Sequence, residues 1–439
     1  MKKYSIISII LCLLFLIACV PMPKEEAIVC RTDSTLEQAV VAAPVESYTF
    51  DAPLYWDETF VPRNREIRFS ANIEIPTAEQ FPVVTVRQHR LTASDVVSFL
   101  TSFCPGEWLI RENELSREEL TEDLKKASNM YLGTNDDTGE SIYGANEEEM
   151  QRIQKLIEHA PAEDTFSTLT ESAVTLPVKK IPVKNSRDET WYLYAYGKET
   201  NSGLFLNRRR DSAIYPESWV MQTDSPVYYS GGLGGIKVSS QDAAAVGDAM
   251  IAALKLSDYR LAEMKKAVEV QTGSSTEYSK GYLLYYVPAL EGTVPCYYAE
   301  STSPDFLQHI GGESTYAPPW RPEYAELYIT EEGLVSLNWW APKEHVMTAN
   351  ENVQLLPFEE IQGSVKKLLE YGLGDWEGSP VLVKRMVLST SVAQIPNQGN
   401  EAFFVPTWVI YLTTDEDEAI HQEPRVLLIN AIDGTYISR

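Results

Sequence analysis

PFEEIQGSVKKLLE (Pro357–Glu370), followed by VLVKRMVL (Val381–Leu388), FFVPTWVIYL (Phe403–Leu412) and RVLLIN (Arg425–Asn430), is the stretch from which the fold is read. Pro357 stands at a first-turn position, where its missing N–H does no harm. Ile361, Val365, Leu368 and Leu369 then fall on one side of a helix. The three apolar runs that follow read as strands, and Asp433-Gly434 makes a turn before Tyr436-Ile437. A capped helix followed by strands joined through short connections predicts an α+β fold, in which helices pack on antiparallel sheets.

Working outward, similar pieces recur. Ile67-Arg68-Phe69-Ser70-Ala71-Asn72-Ile73-Glu74-Ile75 alternates apolar and polar residues, the signature of a half-buried strand, and Pro76 ends it. Val83–Val86, Val178–Val183 and the aromatic-rich Trp191–Tyr196 read as further strands. Thr92-Ala93-Ser94-Asp95 begins a helix, since hydroxyl and carboxylate can satisfy each other's backbone amides. Ser116, Asn146 and Ser239 open three more, and Gly133–Gly144 reads as a polar loop. The starts at Thr92, Ser239 and Pro357 give a weak internal repetition. The expected organisation is therefore two or three modules: 46–225, 226–345 and 346–439.

The chain has 439 residues, with 37 Lys+Arg against 63 Asp+Glu and a net charge of −26. That length and a 44% hydrophobic content exclude wholesale disorder and a small stapled scaffold. The acid excess argues against a nucleic-acid partner, because phosphate binding needs concentrated Lys and Arg.

Lys2 and Lys3 precede an apolar run from Ile6 to Ile17, which has the layout of an export signal. The run is too short for a permanent span, which needs about 20 residues. It ends in Leu16-Ile17-Ala18-Cys19, which resembles the bacterial lipobox. That resemblance implies cleavage after residue 18 and lipidation of Cys19, with at least two acyl chains holding the protein on the outer face of the cell membrane. Residues 19–45 open with Pro21 and Pro23 and read as a flexible tether with a span on the order of 30 Å.

Signals for chemistry are sparse. Cys30, Cys104 and Cys296 remain after Cys19, too few and too scattered for a disulfide framework. The five histidines (His89, His159, His309, His345, His421) have no metal-ligand spacing, so no metal site, cofactor site or catalytic set is assigned. The glycines at 231–235 lack the Lys-Ser/Thr of a phosphate loop and read as a turn or hinge. Asn135–Glu140 and Asp415–Glu418 are acidic enough to hold calcium but lack its loop register, and read as solvated loops. Arg208-Arg209-Arg210 could grip an anionic polymer, although pairing with nearby carboxylates is the stronger expectation. Trp339-Trp340 and Tyr297-Tyr298 could stack on sugar rings, yet neighbours in a strand point to opposite faces.

Asn430-Ala431-Ile432-Asp433-Gly434-Thr435, together with Val405–Val409, resembles the ending of a PepSY-type module. With Asn352–Phe358 ahead of it, the region also resembles the extracytoplasmic YycH/YycI regulators of a sensor kinase. The whole chain resembles a family of uncharacterised clostridial-type lipoproteins through Cys19–Pro23, Ile28–Asp33 and the NAIDG ending, with Arg31 where that family has lysine. The anchor signal, together with the absence of recognisable catalytic spacing, points to a membrane-anchored, non-enzymatic lipoprotein in a binding or regulatory role toward an envelope protein or cell-wall partner; the resemblances themselves supply no substrate. A hydrolase acting on cell-wall or carbohydrate material and a solute-binding lipoprotein stay open as alternatives.

Overall fold

The computed structural model describes residues 35–62, 65–112, 116–128, 131–134, 141–143, 147–161, 164–198, 201–217, 233–272, 276–290, 293–298, 320–372, 380–395, 400–415 and 424–437. The signal segment, Cys19, Cys30, Gly231, Gly232, Asn135–Glu140 and Glu416–Glu418 lie outside these residues.

The chain begins with α1 (Thr35–Val41), β1 (Tyr55–Phe60), β2 (Ile67–Glu74), β3 (Val83–Gln88) and α2 (Ala93–Phe103). It continues through β4 (Leu109–Arg111), α3 (Arg117–Ser128), β5 (Tyr131–Thr134), β6 (Ser141–Tyr143), α4 (Glu147–His159) and β7 (Phe166–Thr168). Next come β8 (Val178–Lys184), β9 (Thr190–Lys198), β10 (Asn201–Asn207), β11 (Ser212–Pro216), α5 (Ser240–Ala253), β12 (Tyr259–Gln271) and β13 (Glu277–Pro288). The last part holds β14 (Tyr324–Thr330), β15 (Gly333–Trp340), β16 (Lys343–Asn350), α6 (Phe358–Gly372), β17 (Val381–Gln394), β18 (Glu401–Thr414) and β19 (Arg425–Asn430).

Two large sheets dominate. The first has seven strands in the order β1-β2-β17-β18-β3-β16, with β19 also on β18. It is antiparallel except where β2 runs parallel to β17. The second has ten antiparallel strands in the order β11-β12-β13-β14-β15-β10-β9-β8-β4-β7. Of the described residues 44% are strand and 23% helix, so the α+β expectation is corrected to a mostly β architecture. The physical reason lies in residues 259–340, where four strands, β12 to β15, pair in succession and no described helix intervenes. Gly133–Gly144, read as a loop, contributes the small hairpin β5–β6.

Each sheet draws on separated stretches of the chain. β1–β3 join β16–β19 in the first sheet, while the second is built from residues 109–340 between them. The sequence window 46–225 therefore sends strands into both sheets, and β16 runs across the boundary expected at residue 346.

Local signals act as elementary chemistry requires. β2 buries every second residue, Ile67, Phe69, Ala71 and Ile73. The Thr92 hydroxyl accepts from the Asp95 amide at 3.3 Å, and the Asp95 carboxylate accepts from the Thr92 amide at 2.7 Å, closing the cap of α2. Ser116 and Glu119 make the same reciprocal pair at the start of α3. Inside the first sheet, α6 lays Phe358, Ile361, Val365, Leu368 and Leu369 on a core that contains Trp56, Phe69 and Trp408.

Residues 35–45, expected to be part of a flexible tether, are instead held against the body, because α1 is docked. Leu36 and Val40, one turn apart, are buried in the first core. The buried Asn350 amide donates to the carbonyls of Val40 and Ala42, each at 3.1 Å. Asn352 donates to those of Val45 and Glu46, each at 3.1 Å, and accepts from the Phe81 amide at 2.8 Å. Asn352→Ala strands these buried groups. It is expected to destabilise the protein by about 2–3 kcal/mol and to expose residues 35–46 to limited proteolysis; urea unfolding and digestion check both.

Candidate functional site

A strand points successive side chains to opposite faces. In β9, β10, β14 and β15, one set (Leu193, Ala195, Leu204, Leu206, Ala325, Leu327, Leu337) belongs to the second core, where α2 and α5 also pack. The other set builds the opposite face, and strand register sorts it into rows. Tyr324 stands opposite Trp340, Trp340 opposite Gly203, and Gly203 opposite Tyr196. The next row runs Tyr285, Glu326, Asn338, Phe205, Tyr194. A third runs Tyr328, Ser336, Asn207, Tyr192.

The rings of the first two rows touch in sequence. Tyr194 meets Phe205 at 5.5 Å between centroids, Phe205 meets Trp340 edge-on at 4.8 Å, and Trp340 meets Tyr324 at 6.0 Å. Tyr297, arriving from a loop, stands 5.2 Å from Tyr324 and stacks on Tyr285 at 3.8 Å. Gly203 makes room for this arrangement. A Cβ there would sit 3.0 Å from Phe205 Cε2 and 3.1 Å from the Tyr196 hydroxyl. Apart from Tyr285, these rings are half-buried.

Beside the rings lies a concavity of about 250 Å³ lined by Tyr192, Tyr194, Phe205, Asn207, Ser336, Asn338 and Glu326. Asn338 Nδ2 donates to Glu326 Oε1 at 2.6 Å. Burial pushes the Glu326 carboxyl above the usual carboxylate range, and hydrogen bonds from Asn338 and Tyr285 oppose that rise. The result is a fixed acid–amide pair at the foot of an aromatic wall, able to accept and donate hydrogen bonds.

Arg209 and Arg210 close the same concavity and are spent on carboxylates, in line with the stronger of the two sequence expectations. Arg209 bonds the fully buried Glu269, reaches Glu332 at 3.5 Å and lies over the Tyr278 ring at 5.0 Å. Arg210 pairs with Asp123 at 3.1 Å and Glu119 at 3.5 Å. Arg208 reaches Glu189 at 3.5 Å and covers Trp191.

The tryptophan and tyrosine pairs divide as strand geometry demands. Trp340 is on the aromatic face, whereas Trp339 stacks on Phe99 at 6.0 Å and donates to the Tyr259 hydroxyl at 2.8 Å. Tyr297 is half-exposed, and buried Tyr298 donates to Ser391 Oγ at 2.9 Å. Of the histidines, His89 lies 3.2 Å from Asp95 and 2.8 Å from Glu344, His159 contacts the Lys155 carbonyl at 2.8 Å, and His345 is exposed on β16. His309 and His421 lie outside the described residues. Among the described residues, no group of three His, Cys, Asp or Glu side chains could hold a metal ion. Cys104 and Cys296 are buried free thiols, and burial pushes Cys296 up to about 11, away from reactivity at neutral pH. Of the glycine cluster, Gly234 and Gly235 form a turn ahead of α5, Gly235 at φ 82°.

Glu326, Asn338, Asn207 and Phe205 were not singled out in the sequence. One signal for the face was present: Tyr192, Tyr194 and Tyr196 recur at a spacing of two, which puts three rings on one side of β9.

No family model matches the chain, and no curated protein matches it. Among solved structures, an uncharacterized protein from Eubacterium rectale ATCC 33656 is similar with a TM-score of 0.42 and 12% identity, covering 94% of this chain and 99% of that one. A likeness at that level carries no argument about function.

Proposed function

We propose that the mature protein is a lipid-anchored component of the outer face of a bacterial envelope that binds saccharide chains on the aromatic face of its ten-stranded sheet. The anchor rests on Leu16-Ile17-Ala18-Cys19. The binding reading rests on one observation: half-exposed rings in a continuous row beside the paired Glu326 and Asn338. A sugar ring has an apolar C–H face and a rim of hydroxyls. Rigid aromatic rings supply area for the first at low entropic cost, and fixed carboxylate and amide groups satisfy the second. The strands from β9 to β14 stand side by side at about 4.8 Å spacing, which gives the row the reach of a short oligosaccharide.

Fluorescence titration of the full chain with amino-sugar oligosaccharides of the cell-wall type tests this reading. Saturable binding is expected, with Trp340→Ala weakening it by about 2 kcal/mol, roughly 30-fold. Unchanged affinity in that variant would remove the face from the account.

One observation favours the hydrolase alternative. Asp258 and Glu323 line a common cavity, and the charge of Asp258 helps raise the Glu323 carboxyl. Release of new reducing ends during incubation with the same oligosaccharides would support hydrolysis over binding.

A further inference from the structure

A second cavity, of about 270 Å³, lies between the two sheets. Tyr297, Tyr298, Trp320, Tyr324 and Phe404 line it, and the Glu323 carboxylate joins them. Five aromatic residues and a carboxylate in one concavity form an unusual combination. The faces of aromatic rings attract a desolvated cation, and a carboxylate supplies the opposite charge. We propose that this cavity is a binding site for an organic ammonium ion, its alkylated nitrogen held among the rings and facing Glu323.

The hydrogen bonds of Glu323 fit that role. Its Oε1 accepts from the Tyr259 hydroxyl and, at 3.1 Å, from the Lys343 amide. Both of these bonds fall on Oε1, and the ammonium is placed against Oε2. The indole Nε1 of Trp320 is buried without a partner among the described residues, and an oxygen on the occupant would satisfy it. A neutral apolar guest would leave the indole nitrogen unmet and offer nothing to the carboxylate charge.

The charged groups around Glu323 come from several elements. Lys343, at the start of β16, turns its ammonium onto the carbonyls of Arg321 at 2.8 Å and Ala341 at 3.0 Å, and its charge lowers the Glu323 carboxyl. Asp258 acts in the opposite sense, Tyr259 hydrogen-bonds the acid, and Arg321 and His345 also line the cavity. Burial outweighs the lowering contributions and carries Glu323 up to about 7. Below that pH the acid is neutral and has lost its attraction for a cation. The site therefore fills as pH rises through neutrality, and filling it near pH 7 expels a proton.

Calorimetry on the full chain in detergent, with choline and its uncharged carbon isostere 3,3-dimethylbutan-1-ol as probes, tests the proposal. Choline is expected to bind at least about tenfold more tightly than the alcohol at about pH 8, and about tenfold more weakly at about pH 6 than at pH 8. Glu323→Gln, which keeps the shape and the acceptor oxygen, is expected to erase both differences. Equal affinity for the two probes, no saturable choline binding at about 10 mM, or choline binding unaltered in Glu323→Gln would overturn it. Tyr297 and Tyr324 belong to both the cavity and the aromatic face, so the two readings are told apart by their readouts: choline binding depends on Glu323 and pH, and saccharide binding on Trp340.

Discussion

A chain carrying Cys19→Ala is expected to leave the membrane fraction and appear in the soluble extracellular or periplasmic fraction. The size of the effect follows from acyl-chain burial. Each methylene in the bilayer contributes about 0.8 kcal/mol, one chain gives marginal attachment and two give stable attachment. Under the proposed lipidation, the substitution removes the site of the diacylglycerol thioether, and among the described residues no helix is long and apolar enough to cross a membrane. The acidic body offers no replacement, since a net charge of −26 is repelled by an anionic leaflet. Fractionation with immunodetection of wild type and variant gives the readout. Full retention of Cys19→Ala in membranes would contradict the anchor.

The second large effect concerns Arg209. Its guanidinium bonds the carboxylate of Glu269, which has no exposed surface; Glu269 takes its other hydrogen bond from the Ser279 hydroxyl at 2.7 Å. Arg209→Met keeps much of the side-chain volume and leaves that carboxylate buried without its cation. Breaking a buried pair in this way costs about 3–5 kcal/mol, a large share of the stability of an ordinary domain. Arg209 also lines the concavity beside Asn207 and Glu326, so saccharide binding should fall with stability. Urea unfolding measures the first effect and titration at low temperature the second. The double variant Arg209→Met/Glu269→Leu removes the orphaned charge and should recover most of the lost stability.

Much of the local structure could be read from the chain. The alternation at Ile67–Ile75 and the reciprocal groups of Thr92 and Asp95 encode a strand and a helix start through contacts within a few residues, and both are present. The architecture depends on contacts of another kind. β2 lies beside β17, more than 300 residues away, and nothing in either run marks that partner. β12 has no boundaries legible in the chain: Leu261, Met264 and Val268 recur at a spacing that a helix would also satisfy, and pairing with β13 settles the matter. Without the four-strand run β12 to β15, helices were given too much weight.

The same distinction governs the candidate site. Trp340 could be noticed as half of a dipeptide, and the rule of opposite faces correctly divided it from Trp339. Glu326 could not be picked out among 63 acids, because its significance comes from standing opposite Asn338 on a neighbouring strand. Tyr324 and Tyr297 come together only through the fold. Glu323 is one carboxylate in an acidic chain until burial and the Tyr259 hydroxyl set it apart.

Fluorine NMR of the full chain labelled with 5-fluorotryptophan, recorded with and without an amino-sugar oligosaccharide, tests the binding face most directly. Trp340 is half-exposed on the face, whereas Trp191 and Trp408 are sealed in the two cores. The Trp340 resonance, assigned by its loss in Trp340→Phe, is predicted to move saturably while those of Trp191 and Trp408 stay in place. A Trp340 signal that stays still while the oligosaccharide binds, or shifts confined to other tryptophans, would contradict a saccharide site on this sheet.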